Sequence, residues 1–218
     1  MPRTVTKQVY TFKELNPKAK QKAIEWYRGL NDQDSGWWDF VYDEADRIAE
    51  AFGITLRRKE AGKPNSGPDI MFTGFWSQGD GACFQGRYES PQTPAVEAFA
   101  ALGIEDATLK ALAARLDALS AKVRLISTVK HSGHYYHEYC TDFETERMVP
   151  DDAGDDFDIY DFDHEDEKEL IDILRSFMKW IYRQLEAVDE DRNSDETISE
   201  TLTDSDYEFE ADGSPTND

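Results

Sequence analysis

DIMFTGFWSQGDGACFQGRY, residues 69–88, is the stretch whose reading decides the fold. Ile70, Phe72 and Trp76 interleave with Met71, Thr73 and Phe75, and the apolar and aromatic content resumes at ACFQGRY. Between the halves, Gly79, Asp80 and Gly81 supply the positive-φ positions that a chain reversal needs. A β-hairpin is predicted, DIMFTGFW and ACFQGRY joined by SQGDG. Two glycines around an aspartate also leave backbone N–H groups accessible, and Trp76, Gln78 and Asp80 offer a ring, an amide and a carboxylate from one turn. A small binding loop and bare turn chemistry fit this string equally well.

Downstream, residues 123–143 read as a second hairpin, VRLISTVK and HYYHEYCTDF around HSG, with β-branched and aromatic residues on both sides. His131, His134, His137 and Cys140 recur there at every third position, a tempting ligand set. On a strand, however, His134 and Cys140 face one way and His131 and His137 the other, each pair about 20 Å apart at roughly 3.3 Å per residue. Zinc ligands converge within about 2.0–2.3 Å of one ion, so no metal site is assigned. Pairing of His134 or His137 with Asp80 of the first hairpin remains open, as an acid/base or ligand-binding pair. A hydrogen-bonded structural histidine is the commoner outcome in such a strand.

Outside the hairpins the pattern changes to helical spacing. Asn16-Pro17 predicts a helix start, followed by Ala19, Ala23, Trp26, Tyr27 and Leu30 at three- and four-residue intervals. A second helix is expected after Asp34 or Ser35, with Trp38, Val41, Tyr42, Ala45, Ile48, Ala49 and Phe52 on one face. Ile54 to Arg58 reads as a strand. Thr93-Pro94 and Asp106 mark two further helix starts, residues 165–188 a long helix with an acidic first turn, and Asn193 or Ser194 the cap of a short last one. Residues 207–210 read as a final strand, and 214–218 as a mobile tail. The class is α+β, one domain over residues 1–213, with an antiparallel sheet from two central hairpins covered mainly on one face by amphipathic helices.

Charge singles out a different region. Residues 1–60 carry 11 Lys/Arg against 10 Asp/Glu and residues 61–140 carry 7 against 8, whereas residues 141–218 carry 6 against 28. The last third thus holds the whole net charge of −22. Its centre is DDAGDDFDIYDFDHEDEKE, residues 151–169, inside an acidic segment 141–169 set between a strand and the long helix. Asp142, Glu144 and Glu146 alternate with Phe143 and Thr145, which predicts an acidic strand face. This balance opposes direct nucleic-acid binding, since a phosphate backbone attracts Lys/Arg and repels carboxylates. No apolar run suits a secretory leader or a bilayer span, and two cysteines make no disulfide framework, so a cytoplasmic chain without a membrane partner is expected.

Four strings also resemble a known group. They are the helix from Asn16-Pro17 through AIEWYR with Trp37-Trp38-Asp39 after it; FTGFWSQGDGACF, residues 72–84; VKHSGHYYHEYC, residues 129–140; and FMKWIYRQLE, residues 177–186, with YEF at 207–209. Together they resemble an uncharacterised family of small phage and prophage proteins, often labelled as antitoxins of a toxin-antitoxin stability system. The resemblance implies a phage setting, with the host cytoplasm as location, and no mechanism.

Two functions follow as expectations. In the first, the chain is a non-enzymatic interaction protein whose carboxylates imitate DNA phosphates and engage a basic host protein, such as a DNA-binding or defence nuclease. Its contact residues would be Asp151, Asp152, Asp155, Asp156, Asp158, Asp161, Asp163, Glu165 and Asp166, with interleaved aromatics as anchors. The alternative is a ligand- or nucleotide-binding protein, or an enzyme, with a polar site between the hairpins made of Trp76, Gln78, Asp80, His134 and His137. No P-loop, nucleophile elbow or paired catalytic carboxylates occur, so no catalytic residue, reaction class or cofactor is assigned. Divalent-cation binding by residues 151–166 lacks the EF-hand spacing of glycine and terminal glutamate.

Overall fold

The computed structural model describes residues 6–59, 66–150, 154 and 157–216. In chain order it places β1 (Tyr10–Thr11), a 3₁₀ turn (Phe12–Glu14), α1 (Pro17–Asn31), α2 (Asp39–Ala51), β2 (Ile54–Leu56), β3 (Ile70–Phe72), β4 (Ala82–Phe84) and β5 (Gly86–Glu89). There follow α3 (Ala95–Leu102), α4 (Ala107–Lys122), β6 (Leu125–His131), β7 (Thr141–Arg147), α5 (His164–Arg192), α6 (Asp195–Asp204) and β8 (Glu208–Phe209). Helices alongside antiparallel sheets make the fold α+β. The chain falls into two compact units, Met1–Trp37 with Ala187–Asp218 and Trp38–Glu186, the boundary lying inside α5.

The larger unit is built on an antiparallel sheet of order β2-β5-β6-β7. The first hairpin pairs β3 with β4 in a separate two-stranded sheet, Ile70 opposite Phe84 and Phe72 opposite Ala82. The two hairpins therefore contribute to two hydrogen-bonded sheets, and Gln85 is where the chain passes between them. Its N–H donates to the Asp69 carbonyl and its own carbonyl accepts from Arg57 N–H at 2.8 Å. Asp69 is 2% exposed, and its carboxylate accepts from Arg57 Nε at 2.7 Å and from Gln85 Nε2 at 3.0 Å. A buried carboxylate is tolerated only when paired and hydrogen-bonded in this way.

The helices cover this sheet through a shared aromatic core. Phe177 of α5 lies 5.2 Å from Phe52, 6.0 Å from Phe84 and 6.0 Å from Trp180, between ring centroids, and Phe52 meets Phe99 of α3 at 4.8 Å. Asp106 does two tasks, capping α4 through Leu109 N–H at 2.9 Å and accepting Trp180 Nε1–H from α5 at 3.1 Å. Pro94 offers α3 no capping side chain; Asp117 of α4 accepts the Ala95 and Val96 N–H groups instead. These bonds join the N-terminal ends of α3 and α4 to neighbouring helices.

In the smaller unit, Asn16 caps α1 as expected, its Oδ1 accepting from Ala19 N–H at 3.0 Å. α1 packs with α6 and the β1-β8 ladder around Phe12, Ala23, Ile198, Leu202 and Phe209. Ser194 caps α6 through Thr197 N–H at 3.1 Å.

Several boundaries differ from the sequence expectation. α2 begins only at Asp39, so Trp37 and Trp38 precede the helix; Trp38 packs edge-on to Phe72 and Arg192 lies over Trp37. Of the expected tail, residues 217–218 lie outside the described residues; within 214–216, Thr216 N–H donates to the Glu208 carbonyl at 3.0 Å and Pro215 bridges Phe209. The second hairpin keeps its strands, yet β6 ends at His131 and β7 starts only at Thr141. HYYHEYC is a loop, closed by Ser132 N–H to the Cys140 carbonyl at 2.8 Å.

Candidate functional site

The first candidate region is where the loops of the two hairpins meet. The loop 73–81 is held from below by α5, whose Tyr182 hydroxyl donates to the Gly74 carbonyl at 3.2 Å and whose ring lies 5.5 Å from Phe75. Burial, with the nearby Asp80 and Glu186 carboxylates, pushes the Tyr182 phenol up to about 12. A Cβ on Gly81 would stand 2.4 Å from His137 Cβ, and one on Gly79 3.3 Å from the Tyr135 ring. Glycine at these two positions is thus what lets the HYYHEYC loop close over the SQGDG turn.

Within this arrangement the five residues of the alternative site separate. Asp80 turns back on its own loop, its Oδ2 accepting Ser77 N–H at 2.6 Å. Gln78 and His134 are exposed, and Trp76 is 79% exposed with a φ of 85°. His137 is half-buried, and its Nδ1 accepts the Tyr139 N–H at 3.1 Å while Nε2 lies 3.4 Å from Cys140 Sγ. Among the described residues no hydrogen bond joins Asp80 to either histidine. The loops converge; the acid/base pair does not form.

Residues 132–140 are not a strand, so His137 and Cys140, assigned to opposite faces, come into contact. Among the described residues no group of three or more His, Cys, Asp or Glu is placed to hold a metal ion. Tyr182 carries no site signal in the sequence, and Cys140 enters there only in the ligand set that strand geometry sets aside. The three-residue spacing of His137 and Cys140 suits a tight turn as well as a strand, and Tyr182 sits on a helix 108 positions from its partner Gly74. Cys83 is fully buried, and burial pushes its thiol up to about 12.

The second region is the acidic one. β7 is an edge strand, and its exposed Asp142 and Glu144 alternate with buried Thr141 and Thr145. Thr145 is anchored inside by Ser127 at 3.1 Å, and Glu144 meets Lys130 at 2.7 Å. The following loop is pinned beside it by Arg147, whose N–H donates to the Ile159 carbonyl at 2.7 Å and whose guanidinium stacks 4.6 Å from the Phe157 ring. Tyr160 Oη donates to Glu146 at 3.4 Å.

The carboxylates expected to contact a partner fall into three groups. Asp151, Asp152, Asp155 and Asp156 lie outside the described residues. Asp163 caps α5, its Oδ1 accepting Glu165 N–H at 3.0 Å, and Asp166 is buried with Lys122 at 2.7 Å. These two serve the fold. Asp158, Asp161 and Glu165 stay exposed; Asp158 accepts Tyr160 N–H at 2.8 Å, Asp161 faces Arg147 at 3.5 Å and Glu165 pairs Lys168 at 2.7 Å. Among the described residues no helix is long and apolar enough to cross a membrane.

A family model described as Domain of unknown function (DUF8835) matches residues 37–195. No curated protein and no solved structure matches the chain.

Proposed function

The chain belongs to the DUF8835 family, and from its own surface chemistry we propose that it is a binding protein that presents fixed carboxylates to a basic partner. The carrying observation is the alternation along β7, which buries Thr141 and Thr145 and leaves Asp142 and Glu144 outward on a sheet edge. A strand places same-face carboxylates about 6.6–6.8 Å apart. Duplex DNA carries one charge per about 1.7 Å of axis, so one such row reaches about a quarter of that density. Asp158, Asp161 and Glu165 on the adjoining loop and helix raise it, which makes the surface rather than the strand the unit of recognition. The partner it suits carries a Lys/Arg groove of the kind that holds DNA, as in a defence nuclease or another DNA-binding protein of a phage host. Unneutralised edge charge also protects a sheet from pairing with other strands. The test is capture of host proteins on the immobilised chain. A DNA-binding protein retained by the wild type, released by duplex DNA and lost from the variant Asp142→Asn/Glu144→Gln/Asp161→Asn is the expected result; retention by that variant overturns the reading.

A second reading, a ligand site at the joined hairpin loops, is favoured by Trp76. An exposed tryptophan held at positive φ is backbone strain spent on presenting a ring. Native mass spectrometry that finds a small molecule lost on Trp76→Ala, with the acidic-surface variant retaining it, would support this reading; no bound species in either protein counts against it.

A further inference from the structure

A cleft of about 500 Å³ opens where α4 hands over to β6 and β7 ends, and its charge is opposite to that of the chain. Its lining carries Lys122, Arg124 and Arg147 with the apolar Val123, Met148 and Val149. The pairing of Leu125 with Arg147 and the bond from Met148 N–H to the Arg124 carbonyl at 2.9 Å fix the two arginine-bearing segments side by side. Lys122 answers to Asp166 and Arg147 to Asp161. Arg124 donates to the Ser90 carbonyl and, among the described residues, has no carboxylate in ion-pair reach. In a chain with 46 Asp/Glu against 24 Lys/Arg, a guanidinium that faces no carboxylate among the described residues, in a cleft lined by three cations, marks a place suited to an anion.

We infer that this cleft binds a phosphorylated small molecule with an apolar or aromatic moiety, of nucleotide size. Its volume falls within the range of about 300–1,000 Å³ typical of ligand sites. A planar guanidinium offers paired donors that match phosphate oxygens. Val123, Met148 and Val149 give the uncharged part of such a ligand an apolar wall. A long polyanion is disfavoured, because Asp161 beside Arg147 and Asp163 beside Lys122 set carboxylates next to the cleft's cations. The cleft does not require the acidic-surface reading, and the two share Arg147, so Arg124→Gln is the variant that separates them.

Titration calorimetry with ADP, pyrophosphate and adenosine tests this on the full chain. ADP should bind saturably, pyrophosphate more weakly and adenosine not at all. Arg124→Gln and Arg147→Gln should each weaken ADP by about tenfold or more, the loss of one charge-assisted bond. Lys130→Gln, outside the cleft, should leave ADP binding unchanged. Arg147→Gln carries the test if Arg124→Gln fails to fold. No binding of ADP or pyrophosphate at millimolar concentration, or equal binding to a folded arginine variant, overturns the proposal; pyrophosphate binding as tightly as ADP overturns the apolar wall.

Discussion

Trp76 shows how a single residue separates fold from function. At a φ of 85° with a side chain 79% exposed, it has little burial to lose and a strained backbone to relieve. Left-handed backbone costs a non-glycine residue about 1–2 kcal/mol, against about 0.5–1 kcal/mol of extra unfolded-state freedom for glycine. Trp76→Gly should therefore raise the melting temperature, and a drop on thermal denaturation would mean that the ring packs in solution. Asp212 makes a complementary point about charge. Its bonds from Lys22 at 2.7 Å and from Ser214 hold its carboxyl down at about 2. A folded-state pKa below the ordinary value means that its stabilisation is complete above pH ~4 and is lost as pH falls through about 2. Lys22→Gln should move the Asp212 titration toward about 3.9 in a carboxyl NMR series; an unmoved midpoint would assign the shift to Ser214 alone.

At the scale of elements, α5 is the member on which the larger unit depends. Phe177 is buried against Phe52 and Phe84 and stacks on Trp180, so Phe177→Ala should cost about 3–5 kcal/mol in chemical denaturation. A loss below about 1 kcal/mol would place the core elsewhere. This helix was legible in the sequence because its apolar stripe repeats at helical spacing, and the caps Asn16, Asp106 and Ser194 were legible because capping chemistry is local. The loop HYYHEYC was not. Its aromatic and histidine content has strand character, and what brings it over the first hairpin is distant in sequence, as in the close approach of Gly81 to His137, 56 residues apart. Asp69 was missed for the same reason, since nothing near it in the chain announces a buried carboxylate answered by Arg57 and Gln85. The acidic run was legible as charge but not as structure: Asp166 is buried against Lys122 and Asp163 caps α5, roles that single-residue composition does not distinguish from an outward face.

For the whole molecule, the net charge of −22 matters less than where fixed carboxylates point. In the larger unit, Asp142 and Glu144 on an edge strand and Asp161 on a loop tied to that strand by Arg147 share one acidic surface. Lys130 and Arg147 neutralise part of it, so the proposed recognition rests on the residual charge and should weaken with salt. The most direct measurement is the affinity of the captured basic partner for wild type and for Asp142→Asn/Glu144→Gln/Asp161→Asn, followed from low to physiological salt with duplex DNA as competitor. If the acidic surface is the recognition site, wild-type binding falls with salt and is displaced by DNA, and the variant has lost at least about tenfold at low salt. Equal affinity of the two proteins, or binding indifferent to DNA, would contradict it.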